Sequence, residues 1–136
     1  MKAILINLKG FSRARHEDSG AMFDDFVTEV ELNKNKLNEQ LPKLLECRVW
    51  ERFQTEGSVA MSSRYDYAVV DENGWVENTG VERVASMSQL YPGKLAGNIV
   101  LMRFGNTDTA FKREDIIHMF NTGSFIVVRE VLETVH

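Results

Sequence analysis

The sequence predicts a single α+β domain, with a mixed or antiparallel sheet and helices mainly on one face of that sheet. Two observations point to this class. Short apolar segments with strand-like alternation recur along the chain, and amphipathic segments with helical spacing separate them. Right-handed crossovers would place such helices on one face, so a ferredoxin-like core with an inserted hairpin and short helix fits the order of elements. Other mixed-sheet topologies fit it nearly as well.

Length and composition limit the class of protein further. The 136 residues suffice for one ordinary hydrophobic core, so we expect one domain spanning 1–136. The formal net charge of −4 opposes long-range attraction to nucleic acid. Cys47 is the only cysteine, which excludes an intrachain disulfide and is typical of a cytoplasmic protein. The longest apolar runs are too short to cross a bilayer, so no membrane association is expected.

The first two predicted elements are a strand over 2–9 and a long helix over 20–46. The nearly continuous apolarity of the strand predicts that it is central and covered on both faces. Apolar residues in the second segment keep one helical phase throughout, which predicts one long helix or two collinear ones. Residues 33–36 interrupt the apolar face, and Pro42 is expected to kink the axis.

The middle of the chain is predicted to contain two strands, a hairpin and a short helix. Residues 47–54 and 64–71 alternate as strands do. Residues 73–74, Asn-Gly, are a strong hairpin-turn signal, after which a return strand begins. Residues 79–82 match a capping box, which predicts a short helix over 80–90.

The last third of the chain is predicted to form a strand, a helix and a strand. Residues 98–104 are an apolar strand, and residues 124–131 are the final one. The helix between them covers 110–121 and is expected to be capped by Asp108 or Thr109.

Two polar loops form a candidate anion site. If the strands over 2–9 and 98–104 are parallel neighbours, the loops that follow them lie side by side, and each begins a helix with free N–H groups. The side chains that would then hold a phosphate, a carboxylate or a nucleotide are Arg13, Arg15, His16, Asn106, Thr107 and Thr109. The stronger interpretation is that both loops are ordinary polar connections with good helix caps.

A catalytic site is the weakest hypothesis. His16 lies beside Glu17 and Asp18, and an imidazole oriented by a carboxylate is a common acid–base unit. Adjacent loop residues rarely point at each other, however, and no nucleophile is placed by spacing. No two histidines have ligand spacing and no base is indicated beside Cys47, so we predict no catalytic residue, no metal and no cofactor.

Aromatic residues near arginines are candidate anchors of a protein interface. Trp50, Trp75 and Tyr91 fit this description, although aromatic residues are as often part of a core. Tyr65 and Tyr67 also fit a base-stacking sheet, but Asp66 and the net charge oppose nucleic acid as a partner.

Three function classes follow, in this order. The first is a non-enzymatic cytoplasmic interaction module that binds, and in one version inhibits, a protein partner. A small acidic domain of this kind suits a viral or mobile-element accessory gene, and pairing through an edge strand would make it a homodimer. The second class is a binder of a small anionic ligand or nucleotide through the two loops. The third is an enzyme that uses His16.

Overall fold

The protein is an α+β fold built on a five-stranded antiparallel sheet. The computed structural model describes residues 1–11, 23–54, 66–72, 83–86, 94–105, 107–122 and 125–128. The strands are β1 (Lys2–Ile6), β2 (Val27–Glu31), β3 (Trp50–Gln54), β4 (Asp66–Asp71), β5 (Arg83–Ser86), β6 (Lys94–Ala96), β7 (Ile99–Arg103) and β8 (Phe125–Val128). The helices are α1 (Leu37–Leu45) and α2 (Arg113–Asn121), with short 3₁₀ turns at Phe23–Phe26 and Lys34–Lys36. Residues 8–11 are also helical.

The strands form two antiparallel sheets in the described part of the chain. The larger has the order β2-β1-β7-β4-β3, and the smaller has the order β6-β5-β8. In the larger sheet β1 lies between β2 and β7, which confirms the central position predicted for the first strand. The strands β2 and β3 are its two edges.

The ferredoxin-like detail is not confirmed, because β1 and β7 are antiparallel neighbours rather than parallel ones. Ile6 lies opposite Ile99, and Ile4 lies opposite Leu101. The end of β1 is therefore beside the start of β7. The segment that follows β7 lies instead at the start of β1, where the Thr109 N–H donates to the Lys2 carbonyl oxygen at 3.0 Å.

Each face of the larger sheet is covered by a different helix. One core cluster contains residues of α2 and residues 8–11; its buried members are Ile4, Ile6, Leu8, Phe11, Val27, Ala68, Val70, Ile99, Leu101 and Ile116. The other contains residues of α1; its buried members are Ala3, Leu32, Leu41, Leu45, Val69, Val100 and Met102. Alternate strand residues enter opposite clusters, as the pleat requires. Of the described helical segments, α2 and residues 8–11 therefore lie on one face of the sheet, and α1 lies on the other.

The predicted long helix over 20–46 is wrong, because β2 occupies its middle. All five residues of β2 pair with β1, from Val27 opposite Ile6 to Glu31 opposite Lys2. Val27 and Val30 keep a helical spacing, but in the strand they enter different core clusters. Branching at Cβ favours the strand at these positions. Within the described residues 23–46, the α-helix is confined to the last part of the predicted one, α1, which contains Pro42.

The predicted short helix over 80–90 is also wrong in its described part. Arg83–Ser86 is the strand β5, which pairs with β6 on one side and β8 on the other. The capping-box residues 79–82 and the turn residues 73–74 lie outside the described residues.

The other predicted elements are confirmed within the described residues, with shorter bounds. β3 and β4 correspond to the strands predicted over 47–54 and 64–71, and β7 and β8 to those over 98–104 and 124–131. The helix predicted over 110–121 is α2, which begins at Arg113. Asp108 and Thr109 do not cap it; instead the Asp115 carboxylate accepts from the Lys112 N–H at 3.2 Å.

Neither α1 nor α2 is long and apolar enough to cross a membrane. No other helix in the described part of the chain is long and apolar enough either.

Candidate functional site

An exposed arginine lies over two aromatic rings at the β3 edge of the larger sheet. The Arg52 guanidinium carbon is 4.7 Å from the centre of the Phe104 ring and 5.0 Å from that of Tyr67. These distances are within the range of cation–π attraction, which contributes about 0.5–1 kcal/mol at exposed sites. Trp50 lies beside the same rings. We call the set Trp50, Arg52, Tyr67 and Phe104 the aromatic–arginine patch.

The three rings of the patch pack on one another. Trp50 stacks on Phe104 with ring centres 6.2 Å apart and an interplanar angle of 24°. Tyr67 meets Phe104 edge to face at 5.3 Å and 79°. Both arrangements are favourable for aromatic pairs. All three side chains are half-buried, so the rings form a platform that is partly supported by the core cluster on the α1 face.

The register of the sheet places the four residues together. Arg52 lies opposite Val69, a buried residue of the α1-side cluster, and Trp50 is two residues away on the same face of β3. Tyr67 is on that face of β4, two residues before Val69. Phe104 directly follows β7, the strand that pairs with β4 on its other side. Two residues of β3, one of β4 and the residue after β7 therefore form one small surface.

The guanidinium of the patch is available to solvent. Arg52 is exposed, and within the described residues it forms no ion pair with a carboxylate. The neighbouring Glu51 belongs to the opposite face of the strand by alternation. Asp71 lies opposite Trp50 in the register but is buried, with 3% of its surface exposed. The patch thus presents a positive charge with five N–H donors on an apolar base.

The predicted anion site loses the arrangement that it required. The site required the carboxyl ends of β1 and β7 to lie side by side. Because these strands are antiparallel, their carboxyl ends point in opposite directions across the sheet. Thr109 accepts from the Phe111 N–H at 3.2 Å, and Thr107 contacts the Gly105 carbonyl oxygen at 3.5 Å. The remaining predicted residues, Arg13, Arg15, His16 and Asn106, lie outside the described residues.

The structure describes one of the three predicted interface anchors. Trp50 is part of the aromatic–arginine patch, whereas Trp75 and Tyr91 lie outside the described residues. Sequence reasoning identified Arg52 only as one of the arginines near the aromatic residues, and Tyr67 as a residue that fits either a half-buried strand or a base-stacking sheet. It missed Phe104. Alternation along β3 could have joined Trp50 to Arg52, but no local signal shows that β7 delivers Phe104 to them.

Metal ligands do not cluster in the described part of the chain. No group of three or more His, Cys, Asp and Glu side chains there is arranged to hold an ion. Cys47 is half-buried, and His118 is exposed on α2.

Comparison with known proteins places the chain in no family: no family model, no curated protein and no solved structure matches it.

Proposed function

We propose that this chain is a non-enzymatic protein-binding domain and that the aromatic–arginine patch is its contact surface. The observation that carries the proposal is the exposed Arg52 guanidinium, stacked on Tyr67 and Phe104 and not paired with a described carboxylate. Aromatic residues and arginine are the side chains most enriched among those that dominate binding energy in protein interfaces. Their position at an edge strand adds backbone groups that a partner can pair with.

The packing of the rings favours a protein over a nucleic acid as the partner. A base binds a sheet by stacking on a free ring face. Here Trp50 and Tyr67 pack on Phe104, and Arg52 covers two of the rings. A base that stacks on Tyr67 or Phe104 would have to displace these contacts, and the net charge of −4 gives it no long-range attraction. A protein can use the platform as it stands.

The cellular setting belongs to the same proposal. A single cysteine in 136 residues favours a reducing compartment, so we place the protein in the cytoplasm. A partner bound over its own working surface would be inhibited, which suits an accessory protein of a virus or mobile element. Pairing of two copies through an edge strand would produce a homodimer. No described residue favours the small-anion alternative.

The test compares charge reversals at the two edges of the sheet. The tagged protein is purified from its own cells, the captured protein is identified by mass spectrometry, and its affinity for purified variants is measured by titration calorimetry. We expect Arg52→Glu to weaken binding at least tenfold, because it removes the cation from the patch. Lys34→Glu reverses another exposed charge, beside the opposite edge, and should change affinity less than twofold.

Two outcomes would overturn the proposal. One is a captured partner that binds the Arg52→Glu and wild-type proteins equally well. The other is the absence of any protein that is enriched on the wild type relative to Arg52→Glu. Circular dichroism of both variants checks that the fold is retained.

A further inference from the structure

We infer that the aromatic–arginine patch binds an Asp or Glu side chain within a peptide segment of the partner. This inference rests on the proposed function and adds the chemistry of the ligand. A guanidinium presents its N–H donors in a fork that matches both oxygens of a carboxylate. Arg52 is exposed, so the outer edge of its guanidinium is open to such a pair.

The aromatic platform prepares Arg52 for this role. Contact with the Phe104 and Tyr67 rings, at 4.7 and 5.0 Å, restrains a side chain that is otherwise among the most flexible. Less conformational entropy is then lost when a carboxylate binds, which raises affinity. A free surface arginine, by contrast, gains little from an exposed ion pair.

Charge complementarity indicates which kind of peptide segment the patch binds. Arg52 is the cation of the patch; Glu51 belongs to the other face of the strand, and within the described residues Arg52 forms no ion pair with a carboxylate. The chain as a whole carries a net charge of −4, which repels a long acidic run. The expected ligand is therefore a single acidic residue next to an apolar one, with the apolar side chain on the half-buried Trp50.

The test uses a phage-displayed library of random heptapeptides, selected on the wild-type protein. We expect selected sequences to share one Asp or Glu with an adjacent apolar residue. A selected peptide is then synthesised with both termini blocked, so that only a side chain can supply the carboxylate, and is titrated by calorimetry. Replacing its acidic residue by the matching amide should weaken binding at least tenfold, and so should Arg52→Gln in the protein.

Arg52→Lys separates charge from geometry. It keeps the cation but loses the planar fork, so we expect a loss of several-fold that is smaller than the loss caused by Arg52→Gln. The ion pair is exposed to salt, so affinity should also fall between 50 and 500 mM NaCl. Lys34→Gln is the matched control, and it should leave affinity within twofold.

The contrary outcomes distinguish this inference from the proposed function. Peptides that show no acidic preference but lose affinity on Trp50→Phe would overturn the carboxylate ligand and leave protein binding at the patch in place. Selection of no peptide, or of peptides that bind Arg52→Gln equally well, overturns the carboxylate ligand as well. Binding that needs a free peptide C-terminus overturns the side-chain source. Binding of a single-stranded oligothymidylate that depends on Arg52 would overturn both proposals.

Discussion

At the residue scale, a buried asparagine joins three segments of the fold. Asn98 precedes β7 and has 2% of its surface exposed. Its side-chain Oδ1 accepts from the Lys9 N–H at 2.9 Å, and its side-chain Nδ2 donates to the Leu44 carbonyl oxygen at 2.9 Å. It therefore links the segment after β1, the end of α1 and the start of β7. Removing a buried hydrogen-bonding group leaves its partners unsatisfied.

We therefore expect Asn98→Ala to lower the free energy of unfolding by about 1–3 kcal/mol, measured by urea denaturation. Asn35→Ala is the matched control, since Asn35 is exposed, and it should change stability by less than about 0.5 kcal/mol. Equal stability of Asn98→Ala and the wild type would show that water replaces these bonds without cost.

The residues of the patch show how far a sequence predicts a surface. Trp50 and Arg52 are two positions apart on a predicted strand, so a shared face follows from the pleat alone. Their contact with Phe104 does not follow from the pleat. It depends on the order β7-β4-β3, and strand order is set by contacts between segments that are distant in sequence.

At the element scale, α1 ends on a strained residue. Glu46 has φ 52° and ψ 50°, the left-handed conformation that follows many helices, and glycine is the residue that adopts it without strain. The N–H of Glu46 donates to the Lys43 carbonyl oxygen, and the N–H of Cys47 to that of Pro42. The sequence showed no glycine at this end of the helix, and the chain turns there nonetheless.

We expect Glu46→Gly to be more stable than Glu46→Ala by about 1 kcal/mol, measured by thermal or urea unfolding. Both variants remove the same side-chain contacts, so their difference reports the backbone strain less the greater conformational entropy that glycine loses on folding. If the alanine variant is as stable as the glycine variant, the left-handed conformation is not retained in solution.

The strand β2 shows why one element could not be predicted. Its sequence, Val-Thr-Glu-Val-Glu, keeps the helical phase of its neighbours by coincidence of apolar spacing. Five pairs with β1 and two core clusters stabilise the strand instead. The Arg113 side chain also donates to the Val27 carbonyl oxygen at 2.7 Å, which ties α2 to this strand. Such contacts join segments that are distant in sequence, so the apolar spacing within Val27–Glu31 does not reveal them.

At the scale of the whole molecule, the larger sheet separates two hydrophobic clusters. Leu41 of α1 and Ile116 of α2 are both fully buried, on opposite faces. Distant sites without shared partners have additive effects on stability. We expect Leu41→Ala to cost about 2–5 kcal/mol and Ile116→Val about 0.5–1.5 kcal/mol. The double variant should lose the sum within about 0.5 kcal/mol, measured by urea denaturation.

A pair within one cluster is the control for that experiment. Leu41 and Val100 belong to the same cluster, so Leu41→Ala and Val100→Ala share a cavity and should depart from additivity by more than about 0.5 kcal/mol. Non-additivity of the pair on opposite faces, equal to that of the pair on one face, would contradict the separation of the clusters by the sheet.

The sequence by itself determined the α+β class, the buried and central character of β1, the strands β3, β4, β7 and β8, and the helix α2. It did so because periodicity and side-chain type report how much of a segment is buried. Only the tertiary structure decided that β1 and β7 are antiparallel, that Val27–Glu31 is a strand, and that the helices cover opposite faces. It also brought Phe104 to Trp50 and Arg52. The reason is physical: a segment's own pattern fixes which side chains avoid water, whereas the partner and direction of each strand depend on the free energy of contacts between distant parts of the chain.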